Sequence, residues 1–350
     1  MFFSTKKLLG LDIGSSSIKI AEVDVSRSGI TLNSFSLIPT PANSVGTGDL
    51  TDIGSVKMAI QALLSEMKTK RRNVCTGMWG TAVIVKKITI PQMDKKVVKN
   101  QLRFEAEQYI PFDINNVSLA YHILPVSQSP DTMEVILVAA QNELVSQYTQ
   151  VIQASGLKPA IIDVSGFALA NVFEVNYGKF RNEIIGVLNF GANITNFVVV
   201  QAGEVVFCRD IPVGGSNYSN EISKVLGITL QEAEGLKINS SSKKDTPAEV
   251  HSVMAATNDQ VSEEIRNSLE FLSASTNGIV PNRCFYTGGS AQNFGMIDSL
   301  GRATGIPFEE MNPFHKIKVN SNKISPSYIQ QIMPFSSIAL GLGLRKLGDS

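Results

Sequence analysis

The sequence predicts an α/β protein of two similar lobes that face each other across a cleft, with a smaller α+β subdomain inserted into the first lobe. A strand–turn–strand pattern at residues 7–25 returns at residues 184–200, and helices follow each copy. Between the copies, residues 81–160 follow their own order of strand, helix, strand, strand, helix. Because duplicated units pack as equivalent structures, each lobe is expected to direct one glycine-containing turn into the cleft.

Composition excludes several classes of function. The 350-residue chain is 43% hydrophobic and 18% charged, and its 31 basic residues balance its 31 acidic ones, which is ordinary for a globular protein. This balance provides no basic face for nucleic acid, so we predict no nucleic-acid partner. The cysteines are far apart and are predicted to be buried free thiols: Cys75, Cys208 and Cys284.

Hydropathy predicts a soluble, cytoplasmic protein. No apolar run of the sequence is long enough for a signal-peptide core or for a bilayer span. We therefore expect no direct membrane insertion, and any membrane association is expected to come through a partner. The three histidines are isolated from one another, so a His/Cys zinc site is not expected.

In the first lobe, strands are predicted at KLLGLDI, IKIAEVDV and ITLNSFSLIP, followed by a loop at residues 39–54. Apolar residues at helical spacing predict a helix from Ser55 to about Lys68, and a strand follows at NVCTGMW. In the inserted subdomain, Asp94 begins a helix that Pro111 ends. The other predicted elements there are the strands AVIVKKITI, VSLAYHILPV and MEVILVAAQ and a helix closing at Gly156.

A helix is predicted at IDVSGFALANVFEVN, before the second copy of the opening pattern. That copy gains a third strand at GEVVFCRDIPVGG, and helices are predicted near residues 216–227, 229–238 and 247–278. SSSKKDTP between the last two reads as disordered. RCFYTGGSA is predicted to be a strand ending in a glycine pair, and PFSSIALGLGLRKL a final helix.

The two turns carry groups that suit a nucleotide. Residues 11–15, LDIGS, align with residues 188–192, LNFGA. Glycines let backbone N–H groups approach phosphates, Lys19 supplies positive charge, and Asp12 can hold Mg²⁺ directly or through water. Three hydroxyls add donors: Ser15, Ser16 and Ser17. Either turn taken alone is better explained as a tight hairpin without ligand, and the absence of GxxxxGK[ST] excludes a P-loop.

With these motifs in this order, the chain resembles the actin/Hsp70/FtsA superfamily. The resemblance implies an actin-like (ribonuclease H-like) bilobal ATPase fold with an inserted FtsA-like α+β subdomain, and ATP and Mg²⁺ as cofactors. It assigns nucleotide-binding roles to Asp12 (also the metal ligand), Gly14, Ser15, Ser16, Ser17, Lys19, Asn189, Gly191, Ala192, Asn193, Thr195, Gly214, Gly215, Glu234, Lys237, Gly288, Gly289 and Ser290. Taken singly, Glu234 and Lys237 would be a helix-surface pair, and the Gly288–Gly289 pair a plain turn.

The same resemblance implies a division of the chain into subdomains. We expect a first-lobe core at 1–79, the inserted subdomain at 80–158, first-lobe completion and connecting helices at 159–182 and 333–350, a second-lobe core at 183–228 and 284–332, and a helical subdomain at 229–283.

The inserted subdomain narrows the resemblance from the superfamily to one family. It precedes the second phosphate loop, as in FtsA, and RFEAEQYIPF at residues 103–112 closely resembles a helix-end motif of the PilM family of type IV pilus assembly proteins. An ordinary amphipathic helix that ends at a proline would explain the apolar spacing of this segment, but it would not explain the exact sequence. Residues 81–86, 137–143 and 156–169 resemble the family as well.

This family resemblance implies a cytoplasmic ATP-binding scaffold of the pilus assembly platform, peripheral to the inner membrane through its partners. It implies nucleotide-sensitive binding of the N-terminal tail of the inner-membrane protein PilN in a groove involving the inserted subdomain. PilO, PilP and the motor ATPases are implied as indirect partners, and a ring-type homo-oligomer as the assembly.

One departure bears on catalysis. The second phosphate loop of the superfamily normally carries an aspartate, and here the position is Asn189. Losing that charge weakens the hold on Mg²⁺ and on an attacking water, so slow or absent hydrolysis is expected. The alternatives are an active actin-fold ATPase or phosphotransferase, for which we find no clear acidic base, and an FtsA-like division filament. We expect the latter to carry a membrane-targeting helix after the last core helix, where this sequence ends at LGLRKLGDS.

Overall fold

The computed structural model describes residues 7–125, 129–242 and 246–348. Its strands are β1 (Leu9–Ile13), β2 (Ser17–Ser26), β3 (Gly29–Pro39), β4 (Asn73–Met78), β5 (Val83–Pro91), β6 (Val117–Ile123), β7 (Thr132–Gln141), β8 (Lys158–Val164), β9 (Ile184–Phe190), β10 (Thr195–Gln201), β11 (Glu204–Ile211), β12 (Arg283–Thr287), β13 (Phe308–Glu310) and β14 (Lys318–Val319). Its α-helices are α1 (Ile53–Met67), α2 (Lys95–Ala106), α3 (Asn142–Ala154), α4 (Ser165–Tyr177), α5 (Gly215–Leu226), α6 (Leu230–Ser241), α7 (Ala248–Ser275), α8 (Met296–Thr304), α9 (Pro326–Ile332) and α10 (Ser337–Gly343).

The two large sheets repeat one topology, as the duplicated pattern predicted. The first runs β14-β3-β2-β1-β4-β8 and the second runs β11-β10-β9-β12-β13. In each, three strands form an antiparallel meander, and a parallel strand pairs with the first strand of that meander: β4 with β1, and β12 with β9. The predicted bilobal α/β fold is confirmed.

Helices α4 and α10 pack between the two sheets. Helix α10 contacts β1, β2 and β4 of the first sheet, while α4 contacts α10 and strands of both sheets. Their approach is so close that a Cβ on Gly341 would lie 1.9 Å from the carbonyl oxygen of Ala168. A Cβ on Gly10 would lie 2.0 Å from the carbonyl oxygen of Ala339. These glycines therefore allow β1 to lie close to α10, and α10 to lie close to α4.

The inserted segment forms a sheet of its own, in the order β5-β7-β6. Helix α2 covers one face of it with Val98, Leu102 and Ala106. Its N-terminus is capped as the sequence suggested, since a side-chain oxygen of Asp94 accepts from the backbone N–H of Lys96. Helix α3 instead packs in the core of the first lobe beside α1, where Tyr148 is fully buried.

The predicted helix at IDVSGFALANVFEVN is wrong in its first part. Residues up to Val164 belong to β8, which pairs in parallel with β4, and α4 begins at Ser165. A short apolar run fits a buried strand and a buried helix equally well, because hydrophobic periodicity cannot distinguish the two over so few residues. Residues 243–245 of the stretch predicted to be disordered lie outside the described residues.

Other sequence predictions concern the cysteines and the membrane. The three cysteines are free and buried, as predicted. Within the described segments, no helix combines the length and apolarity that a bilayer crossing requires. Among the same residues, no group of three or more His, Cys, Asp or Glu side chains is placed to hold a metal ion.

Candidate functional site

A cleft of about 790 Å³ lies between the two lobes. Its walls are the β1–β2 turn, the β9–β10 turn, α6 and the turn that follows β12. The structure brings most of the predicted site residues to this one cavity: Asp12, Gly14, Ser15, Ser16, Ser17, Lys19, Asn189, Gly191, Ala192, Asn193, Glu234, Lys237, Gly288, Gly289 and Ser290.

In the first turn, charge is held by a buried ion pair. Asp12 and Lys19 are directly opposed on β1 and β2. The ammonium of Lys19 donates to Oδ2 of Asp12 at 2.9 Å and to the carbonyl oxygen of Ser17 at 3.2 Å. Gly14 closes the turn with a 3.2 Å bond from its N–H to that same carbonyl oxygen. Oδ1 of Asp12 makes no hydrogen bond to the residues described, so it is available to a ligand.

The second turn has the same geometry with neutral groups. The N–H of Gly191 donates to the carbonyl oxygen of Ile194 at 2.9 Å. Asn189 and Asn196 are directly opposed on β9 and β10, seven residues apart like Asp12 and Lys19. Nδ2 of Asn189 donates to Oδ1 of Asn196 at 2.9 Å. An amide pair therefore replaces the ion pair of the first lobe.

Three predicted residues do not line the cleft. Thr195 is fully buried, and its hydroxyl donates to the carbonyl oxygen of Val213 at 2.8 Å. The N–H of Gly215 donates to the carbonyl oxygen of Gly191 at 3.0 Å. A Cβ on Gly214 would lie 2.5 Å from that same oxygen. These residues support the second turn from behind.

Helix α6 directs Glu234 and Lys237 into the cleft. The ammonium of Lys237 is buried and contacts Glu234, the carbonyl oxygen of Gly215 at 3.2 Å and the hydroxyl of Ser219 at 3.2 Å. The hydroxyl of Ser219 also donates to Glu234. The alternative of an ordinary surface pair is thus wrong for Lys237, which ties α6 to the start of α5.

The turn after β12 needs its glycines. Gly288 has φ of +104°, and a Cβ there would lie within 2.4 Å of the backbone of Phe190, so other residues would be strained as well as clashing. A Cβ on Gly289 would lie 2.4 Å from the ring of Phe335. The hydroxyl of Ser290 donates to the carbonyl oxygen of Gly191 at 2.7 Å. This turn is therefore packed directly onto the second turn.

Sequence reasoning missed several lining residues: Trp79, Ser165, Asn196, Ile238 and Phe335. Ile238 is 52% exposed and Phe335 is 38% exposed, so they leave apolar surface at the cleft. The buried hydroxyl of Ser165, at the start of α4, has no hydrogen-bond partner among the described residues. The seven-residue spacing from Asp12 to Lys19 could have identified Asn196, because the same spacing separates it from Asn189.

The acidic groups of the cleft are both paired. Among the described lining residues, the carboxylates are those of Asp12 and Glu234, which pair with Lys19 and Lys237. A general base must be free to accept a proton from the attacking water. The cleft therefore presents glycine turns, hydroxyls and cations around one available carboxylate oxygen, without an unpaired carboxylate to activate water.

A second cavity, a groove of about 560 Å³, lies between the inserted subdomain and the two lobes. Three strands that end their sheets border it: β6, β8 and β11. Its lining is largely apolar, with side chains such as Ile162, Phe167 and Val205. His122 of the inserted subdomain and Glu204 of the second lobe meet across its rim at 3.3 Å. The groove therefore has sheet-edge strands beside apolar surface.

Two duplicated α/β lobes that close on glycine turns from each side define an actin-like protein. Residues 10–347 match the model of the type IV pilus assembly protein PilM family. The chain belongs to that family.

Comparison with solved structures agrees. The protein is similar to a structure described as a PilM–PilN type IV pilus biogenesis complex, with 27% identity, a TM-score of 0.87 and coverage of 97% of this chain and 98% of that one. Similarity to the ethanolamine utilization protein EutJ of Carboxydothermus hydrogenoformans is one of fold, with 15% identity, a TM-score of 0.58 and coverage of 96% and 89%.

A relative among curated sequences is the cell division protein FtsA of Streptococcus pneumoniae, 24% identical over 66% of this chain. The match spans only 55% of that relative. It agrees with the predicted FtsA-like branch of the superfamily.

Proposed function

We propose that the protein is an ATP-binding scaffold of type IV pilus assembly that holds Mg·ATP in the cleft and the N-terminal tail of PilN in the groove. One observation carries this proposal. A PilM–PilN complex is 27% identical over 97% of this chain, and this chain has a groove of the kind that an extended peptide requires.

The cleft residues fit Mg·ATP by their chemistry. Backbone N–H groups of the two glycine turns and the hydroxyls of Ser15, Ser16 and Ser17 are donors for phosphate oxygens. Lys19 adds positive charge. Mg²⁺ keeps several waters and needs few carboxylates, so Oδ1 of Asp12 suffices as its protein contact. Ile238 and Phe335 offer apolar surface for the base, and we assign Glu234 and Lys237, which line the same cleft, to the ribose.

Bound Mg²⁺ would neutralise phosphate charge, but among the described residues that line the cleft no unpaired carboxylate stands ready to activate water. We therefore expect ATP to be held rather than turned over, acting as a switch between two lobe arrangements. Single-turnover hydrolysis with purified protein tests this. The expected result is no burst above the Asp12→Ala control. A burst at ordinary ATPase rates that disappears in Asp12→Ala would contradict it.

The groove fits an extended peptide. Strands β6 and β8 each stand at the end of their sheet, so each can accept a further strand through backbone hydrogen bonds, while the apolar lining receives alternate side chains. The side chains of Ser118, Ala120 and His122 are exposed on β6 and point to this side. PilN, through such a tail, would hold this protein at the cytoplasmic face of the inner membrane and connect it indirectly to PilO, PilP and the motor ATPases.

A groove-filling variant tests the peptide site. Ala120→Trp places an indole in the groove from an exposed position, so binding of a synthetic PilN tail peptide should weaken at least tenfold while the thermal midpoint is kept. Ala255→Trp, on the exposed side of α7, is the matched control and should bind normally. Calorimetry that finds equal peptide affinity in both variants would exclude this groove as the site.

A further inference from the structure

The second lobe contains a row of three polar side chains on neighbouring strands. Asn189 on β9 is opposed to Asn196 on β10, and Asn196 is opposed to Asp210 on β11. In the first lobe, the equivalent row is Asp12, Lys19 and Leu37. The second lobe therefore moves its carboxylate from the cleft to the far end of the row.

Hydrogen bonds run through this row in one direction. Nδ2 of Asn189 donates to Asn196, and Nδ2 of Asn196 donates to Oδ1 of Asp210 at 2.7 Å. The other oxygen of Asp210 accepts the backbone N–H of Gly80 at 2.7 Å. Gly80 lies between β4 of the first sheet and β5 of the inserted subdomain, so the last bond joins the second lobe to this connection.

The direction is set at the Asp210 end. Both oxygens of Asp210 accept hydrogen bonds, one from the N–H of Gly80 and one from Nδ2 of Asn196, so Asn196 turns its NH₂ group toward Asp210 and its carbonyl oxygen toward Asn189. The NH₂ group of Asn189 must then donate to the carbonyl oxygen of Asn196. Its carbonyl oxygen makes no other hydrogen bond within the described residues, and the side chain lines the cleft.

We propose that Asp210 is a positioning residue that, through Asn196, holds the amide of Asn189 with its oxygen toward the cleft. This inference rests on the proposed Mg·ATP site. An amide oxygen can accept from the water shell of Mg²⁺, whereas an NH₂ group would oppose the cation. The row thus restores an acceptor at the position where the second loop has lost its carboxylate charge.

The variant Asp210→Asn should reverse the whole row. The N–H of Gly80 is a fixed donor, because Gly80 is held with φ of +93° against the backbone of Thr47. Its partner at position 210 must therefore be the new amide oxygen, so the new NH₂ group donates to Asn196. Asn196 and Asn189 then flip, and an NH₂ group faces the cleft. Every bond stays satisfied, so we expect the variant to fold.

Calorimetric titration of ATP with and without Mg²⁺ measures the effect. Asp210→Asn should reduce the gain in affinity that Mg²⁺ provides by about tenfold, the usual effect of one hydrogen bond to a charged group, and leave metal-free ATP binding unchanged. Glu134→Gln neutralises a buried carboxylate in the inserted subdomain and should leave the gain unchanged. An unaltered gain in Asp210→Asn would overturn the inference.

The charge swap Asn189→Asp/Asp210→Asn provides the rescue. In the swap, every hydrogen bond of the reversed row is made, and the row ends at the carboxylate introduced at position 189. That carboxylate presents an oxygen to the cleft, so the gain in ATP affinity that Mg²⁺ provides should return. Asn189→Asp alone places Asn196 between two acceptors and should lower the unfolding midpoint by about 3 °C relative to the swap. This ligand-free comparison separates the two proposals. Absence of ATP binding by the unmodified protein would contradict the proposed function, while equal midpoints would contradict the row.

Discussion

Asp12 and Lys19 determine how much charge the first turn presents. Each is about one-tenth exposed, and they form an ion pair at 2.9 Å. Removing one partner of a buried pair leaves the other charge without compensation, which costs about 3 kcal/mol. Lys19→Met should therefore lower the unfolding free energy by about that amount in urea denaturation.

The double variant Asp12→Asn/Lys19→Met is the control for this pair. It removes both charges, so it should be more stable than Lys19→Met alone although it carries one more substitution. A double variant that is less stable than the single variant would show that the pair is not the source of the loss.

Asp210 should make stability depend on pH. Burial raises the pKa of this carboxyl above its ordinary value of 3.8, against the opposing hydrogen bonds from Gly80 and Asn196. The folded protein then binds the proton more tightly than the unfolded chain, so the contribution of Asp210 to stability is greatest below pH 3.8 and falls as pH rises through the folded pKa. The variant Asp210→Asn has no carboxyl group at this position, so it does not lose this contribution to stability as pH rises.

Urea denaturation across that pH window measures the difference. The unfolding free energy of the unmodified protein, minus that of Asp210→Asn, should decrease as pH rises from about 3.8. A difference that stays constant, or that increases, would contradict the direction given for the Asp210 pKa.

At the scale of the element, α6 depends on its first turn. The hydroxyl of Thr229 accepts from the N–H of Glu232, whose carboxylate accepts the N–H of Thr229 at 2.9 Å. This reciprocal cap orients the helix that carries Lys237 into the cleft. Thr229→Ala should cost about 1 kcal/mol of stability and should weaken ATP binding, because Lys237 lies two turns further along α6.

The Thr229 prediction has a matched control. Asp52 similarly caps α1 by accepting the N–H of Ser55, and the described residues of α1 do not line the cleft. Asp52→Ala should have a comparable effect on stability and none on ATP affinity in calorimetry. Equal ATP affinities for Thr229→Ala and the unmodified protein would contradict the link between this cap and the site.

Elements with strong periodicity or caps could be predicted from the sequence, and others could not. Asp94 and the apolar stripe of α2 predicted that helix, and the repeated turn predicted both meanders. Strand β8 was mistaken for the start of a helix because its apolar run is short and its partner, β4, is about 85 residues earlier. Pairing over such a distance leaves no local signal.

The site shows the same division. The glycine turns could be predicted because some backbone conformations, such as that of Gly288, require glycine. Asp210 was not, because its role arises from sheet register: it meets Asn196 across β10 and β11 and Gly80 in the connection between β4 and β5. Ile238 and Phe335 were missed because exposed apolar residues become meaningful only when a cavity lies beside them.

At the scale of the molecule, the cleft and the groove share elements. Helix α4 lines the cleft with Ser165 and the groove with Phe167, while β10 lines the cleft with Asn196 and the groove with Val200. The groove also has walls from both lobes and from the inserted subdomain. A ligand that changes the lobe arrangement must therefore change the groove, and linkage requires the reverse effect to be equal.

The most direct test is the affinity of the PilN tail peptide measured by calorimetry with and without saturating Mg·ATP. We predict that the peptide binds and that its Kd differs between the two conditions by about fivefold or more. The ATP Kd should change by the same factor when peptide is present. A peptide that binds in neither condition, or binds with the same Kd in both, would contradict a nucleotide-sensitive scaffold.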